Sequence, residues 1–469
     1  MEHALSVGQN ALWLIHRMAP ETAAYNVAWP MRVRGPLDVP ALLRAVAMTV
    51  ERHDMLRSLF TEIAGVPGRV LQDGLVGLDV RDARGADDAR LTELVQAEIA
   101  RPFKLDIDGA ARFVLFKMTS EDAVLLFVVH HIATDFASLT LVVKDLLEAY
   151  RAVREARDPD WAPLAHTYAD FVAAEQRLLE SPRAEEMAAY WRSALRGAPA
   201  TLELALDHPR PARQRFQGAG YRFQLPQDVV DGIFHASRKA RVTPVRHMLG
   251  VFQALLYRCS AQHDFLIGCD SQSSMGLANR GVPGYYSNKI VLRAQCTTAT
   301  TFRDLITDVN TQMSGAMANV DFPFAMLHRA LGLPSRAGTQ ALAQVSVSMI
   351  TVDPRDELVS LANLGEGHEV AFDELRLSAL DLPQQVGQTD LVLEVVRSRD
   401  SVRCVLKYDT DLFTAASIQR MATHYERLLR AAAADPGQRV ASVSLVDESE
   451  RARLLAFATG RRPAEGDLS

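Results

Sequence analysis

A mixed α/β fold divided into two lobes is what this sequence predicts, on three observations. The chain has 469 residues, 48% of them hydrophobic and 23% charged, an ordinary globular composition in a chain too long for one simple core. Stretches with helical spacing of apolar residues alternate with short apolar runs bounded by turn residues. A polar, proline-bearing stretch, Ser181-Pro182-Arg183 through Asp207-His208-Pro209-Arg210-Pro211, interrupts that alternation near the middle. The expected division is an N-terminal lobe over 1–180, a connector over 181–211, a C-terminal lobe over 212–459 and a polar, mobile tail over 460–469.

In chain order, Leu37 to Val46 has helical spacing, with Asp38 placed to cap it and Pro40 in a first turn that tolerates proline. Asp87-Asp88 precede a second helical stretch, Leu91 to Ala100, which Pro102 stops. Arg112 to Phe116 and Val124 to Val129 read as buried strands joined by a turn at Thr119 to Asp122. From Phe136 to Tyr150, Leu139, Val142, Val143, Leu146 and Leu147 share a helical face. The second half offers a helix from Val245 to Cys259 and strands at Phe265 to Gly268 and Lys289 to Arg293. Later strands at Leu391 to Val395 and Val402 to Leu406 precede a helix from Ala415 to Ala433. No short-period repeat is visible, which argues against a solenoid.

The formal net charge of −6 gives no broad basic field, so nucleic acid is not an expected partner. The N-terminal stretch is broken by Glu2, His3, Gln9, Asn10, His16 and Arg17, unlike a signal peptide, and no run approaches the roughly 20 apolar residues that span a bilayer. A cytoplasmic monomer without membrane contact is expected. Cys259, Cys269, Cys296 and Cys404 form neither a Cys-x-x-Cys pair nor a Cys/His cluster, and read as reduced core residues.

The segment His130-His131-Ile132-Ala133-Thr134-Asp135 lies where a central strand gives way to a helix, a place where a rigid scaffold presents loop residues. Alternation sends the two histidines in opposite directions, so one faces a cavity and the other the fold. An imidazole, with an unperturbed pKa of roughly 6.5, is suited to taking a proton from an attacking nucleophile. Alone, the segment reads as two core histidines with Asp135 capping the following helix. Adjacent strand histidines diverge and no Glu or Cys stands close by, so no metal site is expected. Without a Gly-x-Ser-x-Gly elbow, a serine hydrolase is not supported either.

Other segments give the histidines a context. The run HHIATD resembles the His-His-x-x-x-Asp signature of the condensation domains of nonribosomal peptide synthetases, and further similar segments follow in family order. Ser6 to Trp13 is similar to the opening motif and Arg52 to Phe60 to the second. Tyr168-Ala169-Asp170-Phe171, Asp207 to Pro211, Ile267-Gly268 with Asn279-Arg280, Gly284-Tyr285-Tyr286-Ser287-Asn288 and Asp321-Phe322-Pro323-Phe324 complete the set.

The resemblance implies two chloramphenicol-acetyltransferase-like lobes in a V-shaped pseudo-dimer with a central tunnel. It implies His131 as the catalytic residue, His130 turned into the fold, and Asp135 ordering the loop through a charge-assisted contact with Arg280. His53, Arg57, Trp13, Tyr168 and Asp170 are read as scaffold. Phe136, Tyr286, Ser287, Asn288 and Ser348 are the substrate-channel candidates. The expected reaction moves a peptidyl or polyketide acyl group from a carrier-protein thioester to an amine, or to a hydroxyl with release of an ester. No cofactor is bound permanently; phosphopantetheine arrives on a donor acyl or peptidyl carrier protein, and the acceptor is a small molecule or a second carrier protein. The alternatives are a noncatalytic recruitment module and an acyltransferase using free acyl-coenzyme A. The first histidine is not replaced by aspartate, as in heterocyclising relatives. The sequence departs from the family at Phe136, where glycine is usual: either the loop closes differently or the ring reshapes the channel. Leu445-Val446-Asp447 resembles the start of a linker toward an adenylation domain, consistent with a free-standing protein or a piece of a longer synthetase.

Overall fold

The computed structural model describes residues 2–279, 281–332, 342–353, 355–364, 368–380, 382–398, 401–446, 451–452 and 455–456. Arg280, Asp447 and the 460–469 tail lie outside the described residues.

The first lobe is organised by the strand Asp122–His130, whose Ala123 to Val129 are all buried. It pairs antiparallel with Asn26–Arg34 on one side and Ala111–Lys117 on the other. Leu78–Asp82 completes that flank, pairing parallel with Ala111–Lys117. A six-stranded sheet results, with a second six-stranded sheet in the other half of the chain and a small three-stranded one near the N-terminus. Several helix starts follow the sequence closely. Asp38 accepts a hydrogen bond from the Ala41 amide at the head of Val39–Arg52, and Asp87 does the same for Asp88–Ile99. Each cap satisfies an orphan amide and stabilises its helix by about 1 kcal/mol.

The second sheet runs Ser287–Gln295, Asp264–Gln272, Val345–Thr351, Leu391–Arg397, Val402–Asp409, Gly218–Gln224. One face is covered by the helices Pro244–Ser260, Phe302–Met317 and Ala415–Ala434, which share its apolar core. Residues of the 181–211 stretch belong to this core as well: Met187, Trp191, Leu202 and Leu204 are buried in it, and Asp207 receives the Thr414 amide at the head of the last long helix.

The lobes also exchange a segment. Glu369–Phe372 and Leu375–Ala379 extend the first sheet, Leu377 pairing with Val33, so the fold is not divided at the connector alone. Asn26–Arg34 would otherwise present an unpaired edge, which the late hairpin covers.

The cysteines are unpaired thiols, three buried and Cys259 half-buried. Burial pushes the Cys269 and Cys296 thiols up to about 12, which makes them inert core groups.

His247, in the helix Pro244–Ser260, is 1% exposed, and neither ring nitrogen has a hydrogen-bond partner among the described residues. Burial lowers its pKa to about 4. Between that value and the ordinary 6.5 the unfolded chain binds the proton and the folded chain does not, so stability falls as pH falls through this window. The loss at pH 4.5 is expected to be about 2 to 3 kcal/mol from this residue. Urea midpoints at pH 7 and pH 4.5 check it: His247→Leu should reduce the difference, and an unchanged difference would assign the acid sensitivity elsewhere.

Candidate active site

At His130 the central strand ends. Its amide donates to the Ala110 carbonyl and the next amide, of His131, to the Tyr25 carbonyl, each at 2.8 Å. The chain then makes a 3-10 turn over His131–Ala133 before Asp135 opens the helix Phe136–Arg154. Asp135 is 4% exposed. One carboxylate oxygen accepts the Ser138 amide at 2.8 Å, and the other accepts Gln272 Nε2 at 3.1 Å from the second lobe. Arg280, its expected partner, is outside the described residues. Asp135 therefore caps the helix and reaches across the lobes through Gln272.

The two histidines diverge, as alternation requires. His130 is 3% exposed and packs beside His16, Tyr25 and Phe103. Its Nδ1 accepts the Ile132 amide at 3.1 Å. Burial, then the neighbouring His16, His131 and Arg112, hold its imidazole well below the ordinary range, so it is neutral and structural. His131 is partly exposed and lines a cavity of about 820 Å³. Its Nδ1 lies 2.6 Å from the Thr134 carbonyl. A carbonyl only accepts, so Nδ1 carries the proton and a neutral ring keeps Nε2 unprotonated, the tautomer a general base needs.

The opening motif explains how this turn is held. Ser6 and Gln9 form a capping box on the helix Val7–Met18, and the buried Gln9 side chain donates to the Ile132 carbonyl at 2.8 Å. His53 and Arg52 both contact Asp145 on the helix Phe136–Arg154, and Asp170 completes a capping box with Thr167. These motif residues shape the scaffold.

Gly284-Tyr285-Tyr286 is clamped onto the first lobe. The Ser138 hydroxyl donates to the Gly284 carbonyl at 3.0 Å and accepts the Gly284 amide at 3.1 Å, while the Tyr168 hydroxyl donates to the Tyr285 carbonyl at 2.8 Å. This places the Tyr285 ring edge-on to His131, with centroids 5.1 Å apart. A Cβ at Gly8 would lie 2.6 Å from that ring, so the absence of a side chain there gives Tyr285 its room. Tyr285 is not among the sequence candidates, although alternation offers a signal: Tyr286 turns inward against Tyr168 and Phe171, which sends its neighbour the other way.

All five channel candidates border the cavity, with different degrees of freedom. The Tyr286 hydroxyl is committed to the Val282 carbonyl. Asn288 donates to the Val320 and Phe322 carbonyls and accepts the Phe324 amide, which makes it a clamp on the Asp321 to Phe324 turn. Ser287, Ser348 and Phe136 are half-buried at the cavity wall.

The condensation-domain family profile matches residues 1–455. This chain belongs to the condensation-domain family. A linear gramicidin synthase polypeptide of Brevibacillus parabrevis is 30% identical over 457 residues, covering 96% of this chain and 6% of that protein. Phosphinothricin tripeptide synthetase PhsC of Streptomyces viridochromogenes is 29% identical, covering 95% of this chain and 40% of that protein. The chain thus spans a minor share of the length of these relatives. A four-domain nonribosomal peptide synthetase bound to AMP and glycine superposes with a TM-score of 0.88 at 23% identity, over 96% of this chain and 34% of that one. The X-domain of teicoplanin biosynthesis, in its complex with OxyB, gives 0.84 at 25% identity over 95% and 96% of the two chains. The two-lobe, chloramphenicol-acetyltransferase-like architecture is that of these neighbours.

Within the condensation domain, Phe136 has a simple backbone explanation. It is the first residue of a regular helix and is not at positive φ, so glycine's conformational freedom is not used. Its effect is on space, because the ring occupies the cavity wall that His131 also lines.

No helix among the described residues is long and apolar enough to cross a membrane, and no group of three or more His, Cys, Asp or Glu among them is placed to hold a metal ion.

Proposed function

We propose that this condensation domain transfers a peptidyl or polyketide acyl group from a carrier-protein phosphopantetheine thioester to an amine acceptor, or to a hydroxyl acceptor with release of an ester. The observation that carries the proposal is His131: its Nδ1 is fixed on the Thr134 carbonyl, and its ring borders a cavity built from both lobes. A cavity of about 820 Å³ is within the usual range for small-molecule sites. The phosphopantetheine arm supplies the activated thioester.

In the reaction, the acceptor nitrogen or oxygen attacks the thioester carbonyl carbon while His131 Nε2 takes its proton. The new C–N or C–O bond forms, the C–S bond breaks, and the proton passes to the departing thiolate. His131 also stabilises charge on the attacking group. Asp135 and Arg280 are assigned to ordering the loop, His130 to holding the strand end, and Phe136, Tyr286, Ser287, Asn288 and Ser348 to the channel wall. The partners are an acyl or peptidyl carrier protein and either a small acceptor or a second carrier. The division into lobes at 181–211 belongs to the same proposal, with the hairpin Glu369–Phe372 and Leu375–Ala379 crossing back to the first sheet.

Incubation of an acyl-loaded carrier protein with matched amine and hydroxyl acceptors, followed by mass spectrometry, tests this. An amide or an ester that requires the enzyme is the expected product. Neither product, with the carrier still loaded, overturns the proposal.

One second reading has a specific observation behind it, the TM-score of 0.84 with an X-domain in complex with OxyB, which suggests a recruitment module. The His131 ring, fixed through Nδ1 on the Thr134 carbonyl and bordering the cavity, favours catalysis. Carrier binding without turnover would favour recruitment.

A further inference from the structure

The cavity has two unlike walls. From the first lobe, Ala11, Leu12, Ile15, Phe136 and Leu139 present hydrocarbon. From the second lobe, the sheet turns inward a row of Asp270, Lys289, Ser346, Ser348, Glu394 and Lys407, with Val392 and Val405 between them. The register explains the row. Lys289 lies directly opposite Asp270, Ser346 opposite Gly268, and Ser348 opposite Glu394, so neighbouring strands place these side chains on one face.

Gly268 is what lets the row close up. A Cβ there would sit 2.8 Å from Lys289 Cδ and 3.0 Å from Ser346 Oγ. The Lys289 stem crosses the space a side chain would fill, and its ammonium donates to Ser346 Oγ at 2.9 Å with Asp270 at 3.3 Å. At the other end Lys407 donates to Glu394 at 2.8 Å. Arg222 and Arg403 stand beyond it and are themselves engaged. Tyr285, edge-on to His131 with ring centroids 5.1 Å apart, lines the same cavity as this row.

Hydrocarbon laid on this row would strip water from ions and hydroxyls without replacing their hydrogen bonds. A carboxylate or an ammonium would break open an ion pair and meet the like charge of its other member. A neutral group with donors and acceptors does neither, since it bonds to the serines and to the remaining N–H of Lys289 while both pairs stay closed. Resting on the acyl-transfer reading of the same cavity, we infer that the second-lobe sheet is a subsite for an uncharged, hydroxylated segment of the substrate, with Lys289 over Gly268 as its main recognition group. The segment belongs to the acyl chain or to the acceptor.

Isothermal titration of the His131→Ala protein reads the subsite without turnover. One series uses N-acetylcysteamine thioesters of decanoyl, dihydroxydecanoyl and carboxynonanoyl groups. The other uses propylamine, aminopropanediol and β-alanine. In one series, thereby naming the source, the hydroxylated probe should bind at least about tenfold tighter than its hydrocarbon and carboxylate counterparts, and Lys289→Met or Ser348→Ala should remove most of that preference. Equal binding within both series, tighter binding of a hydrocarbon or carboxylate probe, or a preference that survives both substitutions overturns the inference. Wild-type turnover is scored separately: a binding preference without product contradicts the catalytic reading and leaves the subsite standing.

Discussion

His131→Ala is expected to lower turnover about 10²- to 10⁴-fold, the usual worth of a positioned general base. The loss should fall on kcat, because in the proposed reaction Nε2 takes the proton that leaves as the new bond forms, and the variant leaves the rest of the cavity unchanged. Thermal melting should change little. The ring is partly exposed, and its hydrogen bond to the Thr134 carbonyl closes a turn that Gln9 and the Asp135 cap also hold. Steady-state kinetics with melting curves checks both halves. Unchanged kcat in a folded variant removes His131 from the mechanism.

The largest structural effect is expected at Gly284→Ala. A Cβ there would lie 2.1 Å from Tyr168 Cδ2 and 2.3 Å from Cε2. Tyr168 has no room to yield, being 1% exposed with its hydroxyl between Ser6 and the Tyr285 carbonyl. The backbone must move, and that breaks the reciprocal bonds with Ser138. Overpacking of this kind costs about 1 to 3 kcal/mol, and this site should lie at the upper end. Activity should fall with stability, since Tyr285 follows directly and rests against His131. Urea unfolding and kcat/KM measured together test the link. A variant as stable as the parent would show that the clamp does not hold the lobes.

The residues of the His131 loop were legible because their chemistry and position coincide: a continuous apolar strand ends at two histidines, and Asp135 stands where a cap belongs. Helices with strong caps, such as Val39–Arg52 after Asp38, were legible for the same local reason. The strand Asn26–Arg34 was not, because Trp29-Pro30 interrupts it and proline argues against a central strand. The hairpin Glu369–Ala379 was hidden differently. Its strands are short, and their partner lies more than three hundred residues earlier, which periodicity cannot register. Lys289 and Glu394 are polar positions in otherwise apolar strands, and only the facing lobe makes their side a cavity wall. Gly268 was noticed within a motif, but its reason, the lysine stem lying across it, is tertiary.

The acyl-transfer assignment is tested most directly by intact-protein mass spectrometry of an acyl-loaded carrier in a single turnover with excess enzyme and acceptor. With the wild-type protein, the acyl mass should leave the carrier and reappear joined to the acceptor. A carrier that stays loaded, or that releases only the free acid, would contradict acyl transfer by His131.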